Sequence, residues 1–261
     1  MLLALDIGNT EITVGLFQGT DLVEHWRLTT RPERTPDEWA GAIEGFLLRA
    51  GHSPNEVRGV CVASVAPMVT QNLTDGIFRA TACRAVEVTP RAKLPLILDV
   101  DEPLTVGADR IVNALAILDG NPADTIVVDF GTATTFDCVT ADGRFIGGAI
   151  MPGLRTSADQ LTQRTAKLPA TELRPPARVI GRRTEECIQA GVLFGAADAV
   201  DGIVGRIRAE WPGPGVPRAV ATGGLAALVA PLCQTLESTD PDLTLRGLRV
   251  AARHLGVPGG A

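Results

Sequence analysis

At 261 residues and 27.4 kDa, with 45% hydrophobic and 21% charged residues, the chain can bury one large or two small cores in an ordinary globular manner. A formal charge of −6 and a pI near 5.2 supply no strongly basic face, which argues against a nucleic-acid partner. The five cysteines are scattered without a CxxC pair and the three histidines lack ligand-like spacing, so the composition excludes a disulfide framework and a zinc centre and favours a reduced, cytoplasmic setting.

Taken along the chain, Met1–Leu5 is apolar but stops at Asp6 with no basic lead-in, too short for a signal peptide. No run of about 18 apolar residues follows, so no membrane span is expected. Leu2–Ile7 and Ile12–Phe17 read as strands joined by a turn, and Leu22–Leu28 alternates as a third. Pro36, Asp37 and Glu38 open a helix whose inner face carries Trp39, Ile43, Phe46 and Leu47. Val57–Ala63 predicts a buried strand, Pro67–Arg79 a helix, Val86–Val88 a short strand and Val106–Leu118 a helix. The pattern then restarts. Thr125–Phe130, Ala133–Val139 and Phe145–Ile150 predict three strands, the last two joined through Asp142 and Gly143. A long helical region runs from Thr184 toward Arg208, followed by a buried strand at Val216–Ala221 and helices at Leu225–Cys233 and Leu243–Leu255.

Each half therefore begins with three strands and continues with helices and a buried strand. The first half opens on Leu5-Asp6-Ile7-Gly8-Asn9-Thr10 and the second on Val128-Asp129-Phe130-Gly131-Thr132-Ala133-Thr134. The spacing is too long for a solenoid repeat and predicts an α/β protein of two similar lobes, 1–120 and 121–261, facing each other across a central cleft. A cluster of Gly, Asn, Pro and Asp at Asp119–Asp124 marks the expected hinge.

The opening turns carry chemistry. A glycine between two strands exposes backbone N–H groups to phosphate oxygens, Asp6 at the strand end can hold Mg²⁺, and the Thr10 hydroxyl can donate to a phosphate. A plain hairpin explains one such turn equally well. The second copy, Asp129–Thr135, repeats the acid, the glycine and the hydroxyls, and favours a grip on a triphosphate. Thr222-Gly223-Gly224-Leu225-Ala226, between a strand and a helix, fits the adenosine end of a nucleotide. No GxxxxGK[ST] is present and the only lysines are Lys93 and Lys167, which excludes a Walker-type kinase.

Asp6–Thr10, Gly107-Ala108-Asp109-Arg110, Asp129–Thr135, Gly147-Gly148, Pro152-Gly153-Leu154 and Thr222–Ala226 together resemble the type III pantothenate kinase family, in order and over nearly the whole chain. The resemblance implies a duplicated ribonuclease-H-like fold of the acetate and sugar kinase, heat-shock protein and actin superfamily. It also implies a homodimer and phosphoryl transfer from ATP to pantothenate, the first step of coenzyme A synthesis. By the same resemblance Asp109 is the general base, and Gly107, Ala108, Asp109, Arg110 and Thr184 bind pantothenate. Asp6, Ile7, Gly8, Asn9, Thr10, Glu11, Ile12, Thr13, Thr132, Gly223 and Gly224 bind ATP. Asp129 ligates K⁺ or NH₄⁺, and Mg²⁺ accompanies ATP near Asp6. Read by their residues alone, Asp109 and Arg110 are an exposed first-turn acid and a solvated arginine, and Thr184 is a helix N-cap. One position departs from the family. Val100 stands where a substrate-binding tyrosine is usual, and the chain contains no tyrosine. The rivals are another small-molecule kinase of the same fold, a nucleotide-binding regulator without turnover, and an actin-like or chaperone ATPase.

Overall fold

The apolar run Leu2–Ile7 forms strand β1, buried at every position except the half-buried Asp6. The computed structural model describes residues 1–260. β2 (Glu11–Gln18) and β3 (Asp21–Thr29) return antiparallel beside β1. β4 (Gly59–Ser64) and β5 (Ala85–Glu87) add in parallel on its other side, giving the order β3-β2-β1-β4-β5. Parallel neighbours require crossovers, here α1 (Pro36–Arg49) and α2 (Pro67–Thr81). α1 starts at a reciprocal cap: the Glu38 N–H donates to the Thr35 hydroxyl at 3.3 Å and the Thr35 N–H donates to the Glu38 carboxylate at 2.7 Å. Trp39, Ile43 and Leu47 of α1 and Val69, Leu73 and Ile77 of α2 share one core with Leu3, Leu5 and Val62. Phe46, expected on that inner face, is half-buried and stacks on Trp26 with ring centroids 5.4 Å apart. A two-residue strand β6 (Ile97–Leu98) and α3 (Ala108–Leu118) follow.

Pro122–Pro241 forms a compact unit of its own. It comprises β7 (Thr125–Phe130), β8 (Ala133–Val139), β9 (Arg144–Pro152), α4 (Leu154–Arg164), α5 (Thr184–Glu210), β10 (Arg218–Thr222), α6 (Ala226–Val229) and β11 (Ser238–Thr239). β8 and β9 run antiparallel on one side of β7, and β10 and β11 parallel on the other. The order β9-β8-β7-β10-β11 repeats that of the first sheet strand for strand. The duplication read in the sequence is thus a duplication of topology. α5, by length and composition alone, is apolar enough to cross a membrane. It serves as a core helix, with Leu193, Ala197, Val200 and Val204 packed against Ile126, Val128 and Ala219.

Besides the short strands β6 and β11, which the sequence pattern does not show, other elements differ from it. β10 begins at Arg218 and Val216 is exposed, because Pro217 has no N–H for a ladder. The helix expected over Leu225–Cys233 is one α turn and then a 3₁₀ turn, Ala230–Leu232, because Pro231 cannot continue it. α4 was hidden by its polarity, since it buries only Leu154 and Ala158.

The last helix, α7 (Leu243–His254), packs with the first stretch, so the first unit comprises Met1–Asn121 and the chain from Asp242 onward. The sequence pattern alone assigns this helix to the second lobe. Its packing has a clear physical basis. A Cβ at Gly247 would collide with the Val112 carbonyl of α3, so backbone meets backbone at that crossing. Arg249 and Arg253 donate to opposite oxygens of Asp119 at 2.8 and 2.9 Å, and the Thr244 hydroxyl donates to Asn113 Oδ1 at 2.8 Å. Burial raises the Asp119 pKa but the two guanidinium groups outweigh it and hold the carboxyl below its ordinary value.

Candidate phosphate and acceptor sites

In the first unit the turn after β1 is closed by the Gly8 N–H, which donates to the Glu11 carbonyl at 3.0 Å. Glycine is required there: a Cβ at residue 8 would lie 2.8 Å from the Glu11 carbonyl oxygen. The end of β3 pins the turn, with the Thr30 hydroxyl donating to the Gly8 carbonyl at 2.7 Å and the Thr30 N–H to the Thr10 carbonyl at 3.0 Å. Asn9, Thr10 and Glu11 are exposed, and Asp6 pairs with Thr13 across the β1–β2 ladder. Ile7 and Ile12 are buried in the core, so only their main chain is available to a ligand.

Gly107-Ala108-Asp109-Arg110 opens α3, with Gly107 at the N-cap. The Arg110 N–H donates to Asp109 Oδ1 at 2.8 Å and folds the carboxylate back over Gly107, where a Cβ would strike Oδ1. Burial pushes the Asp109 carboxyl above the ordinary carboxylate range, against the opposing pull of the Arg110 N–H and charge. The Val65 N–H donates to the Ile7 carbonyl at 3.0 Å, while Val65 Cγ1 lies 3.6 Å from the position a Cβ at Gly107 would take. One residue after β4 thus bonds to the end of β1 beside the Asp6–Thr10 turn and lies next to the space above Gly107 in the Asp109 turn. Val100 is half-buried in the irregular chain between β6 and α3.

The corresponding turn of the second unit is one residue shorter. Phe130 and Thr134 form the last ladder pair, and the Gly131 N–H donates to the Ala133 carbonyl at 3.0 Å. Gly131 and Thr132 are exposed. The start of α4 holds the turn, since the Gly153 N–H at 3.2 Å and the Thr156 hydroxyl at 2.7 Å both donate to the Thr132 carbonyl. β10 delivers Thr222 in register with Asp129, and the Thr222 hydroxyl is fully buried without a hydrogen-bond partner. Gly223 follows with φ +92°, and a Cβ on it would strike Asp129 Oδ1. Asp129, Thr132 and Gly223 are therefore gathered at one edge of this unit, with Gly224 exposed beside them.

Thr184 lies on α5. It is the first helical residue of α5 rather than its N-cap, a place held by Arg183. It lines an open apolar cleft of about 550 Å³ together with Met151, Leu154, Leu161, Ile188 and Val192. Among the described residues, no three His, Cys, Asp or Glu side chains lie close enough to hold a metal ion by themselves. A hard cation at Asp6 or Asp129 would fit only by drawing its remaining ligands from carbonyls, phosphate and water, as Mg²⁺ commonly does. No motif marks Thr30, Val65 or Thr156, isolated residues whose positions only the fold defines.

The family model described as type III pantothenate kinase matches residues 2–206. Relatives under that description include a protein from Moorella thermoacetica, 43% identical over 252 residues and covering 96% of this chain and 98% of its own length. One from Thermomicrobium roseum is 45% identical over 255 residues, covering 98% of each. Among solved structures, the activator of the 2-hydroxyisocaproyl-CoA dehydratase from Clostridium difficile, with bound ADPNP, shares the fold. Its TM-score is 0.57 over 97% of this chain and 92% of that one, at 14% identity. The chain belongs to the type III pantothenate kinase family.

Proposed function

We propose that the protein transfers the γ-phosphoryl group of ATP to the primary hydroxyl of pantothenate, giving ADP and 4′-phosphopantothenate, the first step of coenzyme A synthesis. Family membership over nearly the full chain supports the reaction. The observation that carries the mechanism is the Asp109 carboxylate, half-buried and held over Gly107 by the Arg110 N–H. Asp109 accepts the hydroxyl proton as that oxygen bonds to the γ-phosphorus, while the bond to the β–γ bridging oxygen breaks and ADP leaves with the electron pair. Most of the rate comes from positioning and charge stabilisation, because the transition state is loose.

Gly107, Ala108, Arg110 and Thr184 bind pantothenate in this reading, with Val100 in place of the usual tyrosine. The turn from Asp6 to Thr13 meets ATP phosphates through its main-chain N–H groups. The Thr132 hydroxyl adds a donor, and Gly223 and Gly224 lie against the nucleoside because they carry no side chain. Mg²⁺ beside Asp6 and K⁺ or NH₄⁺ beside Asp129 supply positive charge to the phosphates. The protein works as a cytoplasmic homodimer.

Coupled ADP release, with and without pantothenate, Mg²⁺ and K⁺, tests the proposal. Turnover that requires all three is expected. ATP hydrolysis without an acceptor would point to an ATPase, and nucleotide binding without turnover to a regulator.

A further inference from the structure

The turn after β4 is braced independently of any ligand. The Ala66 N–H donates to the Ser64 hydroxyl at 3.1 Å, the Ser64 and Thr70 hydroxyls lie 2.6 Å apart, and the Thr70 hydroxyl donates to the Ala66 carbonyl at 3.0 Å. Between Ser64 and Ala66 stands Val65, half-buried, its N–H committed to the Ile7 carbonyl. Its β-branched side chain has few rotamers, so the fixed backbone fixes the methyl groups as well. Val65 Cγ1 and Asp109 Oδ1 both border the space left by the missing side chain of Gly107. An apolar methyl and a proton-accepting oxygen thus share one small region.

We infer that Val65 sets acceptor specificity by packing against the geminal methyl groups beside the hydroxyl that is phosphorylated. The inference rests on the pantothenate kinase reading above. In pantothenate the reacting CH₂OH is attached to a quaternary carbon bearing two methyl groups. A pose that brings the hydroxyl within hydrogen-bond reach of Asp109 carries those methyls along, one bond further back. Water next to them would be displaced by an apolar wall, and Val65 is an aliphatic side chain that the fold places near the base across the Gly107 space.

Steady-state kinetics of the full-length protein test this with pantothenate and with its analogue in which both geminal methyls are hydrogens. Val65→Ala should lower kcat/KM for pantothenate by about 10-fold, mostly through KM, with little change for the desmethyl analogue and none in KM for ATP. Val65→Thr, which keeps the shape and therefore the fold, should penalise pantothenate more than the analogue in the same direction. Equal losses on both acceptors, or no loss on either, would overturn the inference while leaving the kinase reading intact. Failure of the unaltered protein to phosphorylate pantothenate at all would remove both together.

Discussion

Gly8 and Gly131 occupy the same place in the two copies of the turn, yet only Gly8 is sterically obliged to be glycine. A Cβ at Gly8 meets a carbonyl oxygen at 2.8 Å, whereas one at Gly131 meets nothing closer than 3.5 Å. Gly8→Ala should therefore cost about 1–3 kcal/mol of stability. Gly131→Ala should cost no more than about 0.5 kcal/mol and, if this turn grips ATP as proposed above, raise KM for ATP. Thermal melts and kinetics of the pair separate the two effects.

Asp109 is subject to a different constraint. Asn at that position can still accept from the Arg110 N–H, so Asp109→Asn should keep ATP binding and lower kcat by about 10²–10⁴-fold. The sign of its pH dependence follows from burial. Because the folded carboxyl titrates above its unfolded value, stability falls as pH rises through that window and activity falls as pH drops through it. The acid limb of kcat/KM should lie above that of an ordinary surface aspartate, and Asp109→Asn should melt at a higher temperature at neutral pH. The sequence shows the motif but not the environment: nothing in Gly-Ala-Asp-Arg says whether the acid is solvated.

At the scale of elements, the crossing of α3 and α7 is held by a glycine. Gly247→Ala would push the two backbones apart at Val112 and should destabilise the protein by about 3 kcal/mol or more. Since α3 begins at the Asp109 turn, the same change should lower kcat/KM without any contact to substrate. An unaltered melting temperature in this variant would mean that the crossing relaxes freely. Strands β1, β4 and β7 were legible because each is a nearly continuous apolar run bounded by polar or turn residues. α4 was not, since a helix that buries two residues prints no periodicity. Nor could the sequence tell Gly247, which meets another backbone, from Gly191, which meets nothing within 4 Å.

At the scale of the whole molecule, the duplication was readable from paired motifs, but the ownership of the last helix was not. An amphipathic helix declares that one face is buried without naming what buries it. The second unit is one continuous stretch, while the first is completed only by residues beyond Asp242. A chain stopped after Pro241 should lose amide protection in β1 and β4 while β7 and β10 keep theirs, as hydrogen exchange can measure. Equal loss in all four strands would show that the two cores melt as one.

The return of α7 also orders events during synthesis. Proteins commonly acquire structure from the N-terminus as the chain emerges, but here the sheet at the N-terminal end lacks its covering helix until all of Pro122–Pro241 has been made. The later, uninterrupted unit holds everything its core requires and can close ahead of it. In the interval Leu2–Ile7 and Gly59–Ser64 are two aggregation-prone strands awaiting α7, so a ribosome stalled before that helix emerges leaves them without their cover.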